Sequence, residues 1–286
     1  MEKLHGTGVA LITPFTQEGL VDYDSLKRVL DFTSEGVDYY VVMGTTGEVA
    51  TLTKSEKKAI LAFVRENNTK KLPIVYGIGG NNTAAVLDEI NDTNFDGVDA
   101  LLSVSPYYNK PSQAGIIAHF QKVADASPVP VILYNVPGRT MSNMLAETTL
   151  ALAQHPNILG IKEASGKLDQ CQSIATQKPE NFLLISGDDL ITTEIMEMGG
   201  CGVISVLANG FPIEFSQIAR LALSGDFKKS KEISNSFEAI NPLMYVESNP
   251  VGIKEVLRQK GVCNNQVRLP LLPATEELKQ RIAALL

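Results

Sequence analysis

The chain has 286 residues and 44% of them are hydrophobic, so it could form one α/β barrel or two smaller domains around a large core. The formal net charge of −7 and the lack of long Lys/Arg clusters disfavour a nucleic-acid surface and favour a small-molecule substrate. Three widely spaced cysteines match neither a disulfide framework nor a metal site, which is typical of reduced thiols in the cytoplasm.

The N-terminal segment contains a short apolar run that ends at Pro14. The run is too short to span a membrane, and no signal-peptide cleavage pattern follows it. We therefore expect a cytoplasmic protein with no membrane partner.

Short apolar runs alternate with amphipathic stretches of helix length through most of the chain. The runs are almost continuously apolar, as expected of strands that are covered on both faces. Eight rounds in series predict a (β/α)₈ TIM barrel, with a doubly wound open sheet as the alternative, because one sequence does not give the strand order. The predicted strands are residues 8–13, 39–44, 73–78, 98–104, 129–134, 158–163, 182–187 and 202–207.

The helical stretches carry their own start signals, and the alternation stops near residue 225. Thr53 and Glu56 have the spacing of a capping box at the start of one predicted helix. Residues 225–286 show helical patterns only. We therefore predict a catalytic barrel over residues 1–224 and a C-terminal helical region over residues 225–286.

Lys162 is the most informative residue at a predicted strand end. The carboxyl ends of barrel strands converge on one mouth, where active sites are built. Side chains alternate along a strand, so Gly160 and Lys162 share a face, and an inward face would place the glycine beneath the lysine. Burial would favour the neutral amine, which attacks carbonyl groups to form a Schiff base. Taken alone, Lys162 is better explained as a solvated charge at a strand end or as a pair with Glu163.

Other strand ends add groups that favour the catalytic interpretation. Tyr134 ends the preceding strand and could relay protons to and from a lysine imine. Thr45 and Thr46 lie in a loop that could bind a carboxylate through backbone N–H groups. Arg139, on a Pro-Gly turn, offers a planar fork for a second carboxylate, although a surface ion pair would also explain it. No group of His, Cys, Asp and Glu has metal-ligand spacing, so no metal is expected.

Several motifs together resemble the dihydrodipicolinate synthase family, within the superfamily of N-acetylneuraminate lyase and class I pyruvate aldolases. The resemblance covers essentially the whole chain, and the motifs occur in the same order. It implies a cofactor-free condensation of pyruvate with L-aspartate 4-semialdehyde to 4-hydroxy-tetrahydrodipicolinate, in the diaminopimelate route to lysine. The motifs are GTTGE at 44–48, SPYYNKPSQ at 105–113, YNVPGRT at 134–140, GIKEASG at 160–166, SGDD at 186–189 and NP at 249–250.

The resemblance also implies roles for individual residues. Lys162 would form the imine with pyruvate, while Tyr134, Thr46 and Tyr108 would make a proton relay. The family's tyrosine at the position of Tyr108 reaches into a neighbouring subunit, and the resemblance implies a homotetramer built from two dimers. The remaining residues would bind substrate: Thr45 and Thr46 the pyruvate carboxylate, Arg139 the semialdehyde carboxylate, and Gly187 and Ile204 through backbone groups.

Two alternatives and one departure from the family pattern remain. The related lyases and sugar-acid aldolases share the lysine and tyrosine, but Arg139 suits a short carboxylate better than their hydroxyl-rich substrates. A non-catalytic binder of small acids would not need the nucleophile.

Ala85 replaces a glutamate that binds the ammonium group of lysine in lysine-inhibited members, and Lys54 and Lys57 add positive charge nearby. We therefore predict weak or absent inhibition by lysine.

Overall fold

The computed structural model describes residues 2–286 and shows eight strands in a closed barrel. The strands are β1 (Gly6–Ala10), β2 (Tyr39–Val42), β3 (Ile74–Gly77), β4 (Ala100–Val104), β5 (Val131–Asn135), β6 (Ile158–Glu163), β7 (Leu183–Ser186) and β8 (Gly202–Ser205). Each strand is parallel to its neighbours, and β1 pairs with both β2 and β8. This closure confirms the predicted TIM barrel and excludes the open sheet.

The strand bounds differ from the predicted ones by a few residues. The first strand was predicted at 8–13 but runs from Gly6 to Ala10. Gly6 and Thr7 pair with β8 although neither is strongly hydrophobic. Leu11 and Ile12 are hydrophobic and buried although they lie beyond the end of the strand. Hydrophobicity reports burial, and burial extends beyond the hydrogen-bonded ladder.

The helices lie between the strands and after the last one. They are α1 (Tyr23–Thr33), α2 (Lys54–Asn67), α3 (Thr83–Asn91), α4 (Gln113–Ala126), α5 (Pro137–Thr140), α6 (Ala146–Leu152), α7 (Leu168–Gln177), α8 (Thr192–Glu197), α9 (Pro212–Leu223), α10 (Phe227–Ser236), α11 (Val251–Gln259) and α12 (Glu276–Ala283). The capping box at α2 is confirmed: the Glu56 N–H donates to Thr53 Oγ1 and the Thr53 N–H donates to Glu56 Oε2. Within residues 2–286, no helix is both long and apolar enough to cross a bilayer.

The C-terminal region is helical, as predicted, and packs closely onto the barrel. The first helix there ends at Ser236 and gives way to turns and a 3₁₀ segment at Asn241–Met244, where Pro242 supplies no N–H group for an α-helix. Almost all of α11 is buried. Gly210 allows its close approach, because a Cβ atom there would lie 2.7 Å from Val256.

The barrel has an inner and an outer apolar layer. Alternate strand residues, among them Val41, Leu102, Ile132 and Ile185, form a cluster inside the barrel. The intervening strand residues pack against the helices in a larger cluster. Tyr134 belongs to the inner cluster, so the strand face that carries it looks into the barrel.

Candidate active site

Lys162 and Tyr134 stand side by side inside the barrel. They are paired in the register of β5 and β6, and Lys162 Nζ lies 4.4 Å from the centre of the Tyr134 ring. Both residues are buried, with 6% and 7% of their surfaces exposed. The sequence-based expectation that Lys162 points inward beside Tyr134 is confirmed.

Glu163 points to the opposite side of β6 and forms no pair with Lys162. Its fully buried carboxylate accepts hydrogen bonds from the Asn135 side chain (3.0 and 3.1 Å), the Ser165 N–H (2.7 Å) and Gln170 Nε2 (2.9 Å). These donors satisfy the carboxylate and fix the end of β6. The interpretation of Lys162 as a salt-bridge partner of Glu163 is therefore wrong.

The glycine that makes room for the lysine is Gly187. A Cβ atom on Gly187 would lie 3.0 Å from Lys162 Cε and 2.6 Å from Ala164 Cβ. Gly160, which the sequence suggested for this role, instead admits β7, since a Cβ there would lie 2.4 Å from the Leu183 carbonyl oxygen. Sequence reasoning placed Gly160 correctly on the face of Lys162 but could not show that the space is taken by the neighbouring strand.

An open cavity of about 490 Å³ lies at the carboxyl ends of the strands. Tyr134, Thr45 and Arg139 are among its lining residues, together with Ser248 and Asn249 from the C-terminal region. Lys162, Gly187 and Ile204 do not line the open part of the cavity. Contact with Tyr134 places Lys162 immediately behind this wall, at the inner end of the site.

The two threonines after β2 have different environments. Residues Thr45–Gly47 form a short 3₁₀ turn that ends at Glu48 in the left-handed conformation, with φ 53°. Thr45 lines the cavity, whereas Thr46 is buried and its Oγ1 accepts a hydrogen bond from Asn249 Nδ2 at 3.0 Å. Among residues 2–286, no hydrogen bond links Thr46 to Tyr134 or Tyr108. The structure therefore does not join Thr46 to the relay predicted from the sequence.

Arg139 is exposed at the cavity and has no acidic partner. It lies on α5, where Pro137 occupies the first turn. In the described part of the chain, no carboxylate oxygen lies within 4.0 Å of a guanidinium nitrogen of Arg139. The guanidinium is therefore available to an anion, and a surface ion pair does not explain it.

The two neighbouring tyrosines are separated by the structure. Tyr107 lines the cavity, and its carbonyl oxygen accepts a hydrogen bond from Asn81 Nδ2. Tyr108 has φ 72°, and 85% of its surface is exposed. The chain therefore does not bring Tyr108 to its own Lys162.

Asp189 fixes the segment that directly follows β8, a contact that the sequence did not reveal. Its buried carboxylate accepts hydrogen bonds from the N–H groups of Val206 (3.2 Å) and Leu207 (2.9 Å), just beyond Ile204 on β8. Burial raises the pKa of Asp189 to about 6. Its partners follow β8 and are therefore distant from Asp189 in the chain. In residues 2–286, no three His, Cys, Asp or Glu side chains group as metal ligands.

Comparison with known proteins confirms the family resemblance that the sequence motifs indicate. The model of the dihydrodipicolinate synthetase family matches residues 3–286. The chain belongs to this family. It is 49% identical over 283 residues to the 4-hydroxy-tetrahydrodipicolinate synthase of Cytophaga hutchinsonii, covering 99% of this chain and 95% of the relative.

Solved dihydrodipicolinate synthases share the fold. A monomeric variant superimposes with a TM-score of 0.95 at 33% identity, covering 99% of this chain and 96% of the variant. The synthase of Cyanidioschyzon merolae, determined with lysine bound, gives a TM-score of 0.94 at 36% identity and covers 99% and 97%. One of these relatives is thus a monomer, and the other binds lysine.

Proposed function

We infer that this chain is a 4-hydroxy-tetrahydrodipicolinate synthase, a class I aldolase-type lyase that condenses pyruvate with L-aspartate 4-semialdehyde. The observation that carries this function is the buried Lys162 amine in contact with Tyr134, behind a cavity that also exposes the unpaired Arg139. An amine and a guanidinium on neighbouring strand ends suit a 2-oxo acid and a second carboxylate.

The reaction begins when the Lys162 amine attacks the C2 carbonyl of pyruvate. Loss of water gives an imine, and loss of a C3 proton gives an enamine that attacks the aldehyde carbon. The amino group of the semialdehyde then attacks C2, which closes the ring and releases the lysine amine. Tyr134, whose ring contacts Lys162, is placed to transfer protons at the carbinolamine and imine steps.

Substrate carboxylates are assigned to two parts of the mouth. The 44–48 loop, with Thr45 facing the cavity, receives the pyruvate carboxylate, and Arg139 receives that of the semialdehyde. We assign Gly187 and Ile204 to substrate contacts through their backbone groups, and the closeness of Gly187 to Lys162 supports this for the glycine. Because Thr46 bonds to Asn249, Thr45 is the threonine hydroxyl that we assign to the relay, while Thr46 holds the loop.

The remaining assignments concern assembly and location. Exposure of Tyr108 supports a relay completed by a neighbouring subunit, and we propose a homotetramer of two dimers in the cytoplasm. The enzyme uses no cofactor or metal for these steps. Sedimentation of wild type and Tyr108→Ala tests the assembly: a monomeric wild type with full turnover would contradict it.

The decisive experiment is borohydride reduction in the presence of pyruvate, followed by peptide mass spectrometry. The expected result is a pyruvate adduct on Lys162 and turnover only when aspartate semialdehyde is supplied. An adduct without turnover would indicate a binder, whereas turnover of N-acetylneuraminate would indicate the lyase reaction. An adduct on a different lysine would overturn the site.

A further inference from the structure

A fully buried ion pair joins the 44–48 loop to the C-terminal helix α11. Lys254 Nζ donates to Glu48 Oε1 at 2.5 Å, and both side chains are almost completely inaccessible to solvent. The two residues are 206 positions apart in the chain. Neither has a role in the chemistry described above, although Glu48 borders the cavity.

Other polar groups complete the environment of this pair. Lys254 Nζ also donates to the Gln266 carbonyl oxygen at 2.7 Å and lies 4.3 Å from the centre of the Phe15 ring. The second carboxylate oxygen of Glu48 accepts a hydrogen bond from the Arg268 N–H at 2.9 Å. The C-terminal region therefore holds both oxygens of Glu48, which gives the side chain one orientation.

Two further hydrogen bonds hold the same loop. Asn249 Nδ2 donates to Thr46 Oγ1 at 3.0 Å, and Thr13 Oγ1 donates to the Gly47 carbonyl oxygen at 2.7 Å. Three consecutive loop residues are thus bonded to distant segments, and Thr45, which directly precedes them, lines the cavity. These hydrogen bonds hold the backbone that presents Thr45 and the loop N–H groups.

The backbone conformation explains why the loop needs such ties. Glu48 has φ 53°, which is unfavourable for a residue with a side chain. Such a conformation persists only where the surroundings enforce it. Since an apolar pair of similar volume is often as stable as a buried ion pair, the directional attachment is the property that an apolar pair would not reproduce.

We propose that Glu48 and Lys254 are positioning residues that set the 44–48 loop to receive the carboxylate of the 2-oxo acid. The proposal rests on the proposed function, because it assigns that carboxylate to this loop. Binding geometry is sensitive to small displacements, and a misplacement of about 1 Å can reduce rates about 10²-fold. Loss of the pair should therefore affect the first substrate more than the second.

The test compares two double variants of the full-length protein. Glu48→Gln/Lys254→Met removes both charges with little change in volume. Glu255→Gln/Arg258→Met is the matched control, because Glu255 is also a buried carboxylate on α11 but is bound by Arg258, Gln259 and Asn265. We expect the first variant to raise KM for pyruvate about tenfold or more, with KM for the semialdehyde changed less than about twofold. The control should keep both values near those of wild type.

The outcomes separate this proposal from the proposed function. If wild type forms the Lys162 adduct but the first variant keeps its pyruvate KM, the positioning role is wrong. If KM for pyruvate rose equally in both double variants, the cause would be a general effect on α11, and the positioning role would again be wrong. If the first variant does not fold, Asn249→Ala provides the test. Loss of its hydrogen bond to Thr46 should likewise raise KM for pyruvate. Failure of wild type to form the adduct would reject the proposed function itself.

Discussion

Tyr134 and Lys162 are register partners on adjacent strands, and the lysine amine lies 4.4 Å from the centre of the tyrosine ring. Tyr134 lines the open cavity, whereas Lys162 does not. Nucleophile and proton donor are thus held by the barrel ladder, which is more rigid than a loop. This relationship underlies the first prediction.

Tyr134→Phe should keep the packing on Lys162 but remove the hydroxyl that transfers protons. We expect kcat to fall by about 10²-fold or more, with slower borohydride trapping of pyruvate and an unchanged melting temperature. Tyr40→Phe is the control, because its hydroxyl donates to the Leu30 carbonyl oxygen on the outer side of the barrel. A Tyr134→Phe enzyme with normal kcat would remove Tyr134 from the mechanism.

Arg139→Ala should impair use of the second substrate while leaving the first step intact. The guanidinium is exposed at the cavity on a different strand end from Lys162. We expect KM for the semialdehyde to rise about tenfold or more, with pyruvate trapping at Lys162 retained. Arg220→Ala is the control, since Arg220 contacts Asp38 at the amino end of β2. Loss of trapping with unchanged semialdehyde kinetics would reverse the assigned roles.

Lysine should inhibit this enzyme weakly or not at all. Ala85 carries no carboxylate, and the nearby Glu89 is paired with Lys57, whose Nζ lies 3.1 Å from Glu89 Oε1 at the cavity. An added ammonium would meet a carboxylate that is already occupied and a second positive charge. Inhibition is measured by titrating lysine into activity assays at saturating substrate concentrations. Strong inhibition below about 1 mM, equivalent to about 4 kcal/mol of binding, would contradict the prediction.

Variants of the same cluster sharpen the lysine test. Lys57→Ala frees the Glu89 carboxylate and should increase sensitivity to lysine. Lys58→Ala removes a lysine that pairs with Asp92 instead, and it should leave the response unchanged. Equal responses in the two variants would show that the Lys57–Glu89 pair does not determine the affinity.

The ion pair between Glu56 and Arg268 should make stability depend on acid pH. Hydrogen bonds from Arg268 hold the pKa of Glu56 at about 2, below its ordinary value of 4.5. The folded state therefore favours the carboxylate, and its stabilisation is complete above pH 4.5 and lost as the pH falls towards 2. Partial exposure of both side chains limits the contribution to about 1 kcal/mol.

Glu56→Gln tests this contribution and preserves the capping box at α2. Urea unfolding at several pH values should show a free energy of unfolding about 1 kcal/mol below that of wild type at pH 7, with the difference shrinking under acid conditions. Glu66→Gln, on the exposed side of the same helix, should follow wild type throughout. A difference that is independent of pH would mean that the ion pair is not its source.

The sequence by itself determined the alternation of strands and helices and the strand ends that carry Lys162, Tyr134 and Arg139. These features are local, because the period of hydrophobicity sets which face of an element is buried and the turn residues set where it ends. Alternation along β6 put Gly160 and Lys162 on one face of the strand, although it did not show that this face looks inward. The capping box at Thr53 was equally local.

Only the tertiary structure decided what these residues meet. Closure of β1 on β8, the space that Gly187 gives to Lys162, and the separate environments of Thr45 and Thr46 all depend on segments far apart in the chain. The Glu48–Lys254 pair spans 206 positions and has no local signature. Periodicity specifies the face that an element buries, but the partner on that face is fixed only when the barrel closes and the C-terminal helices pack onto it.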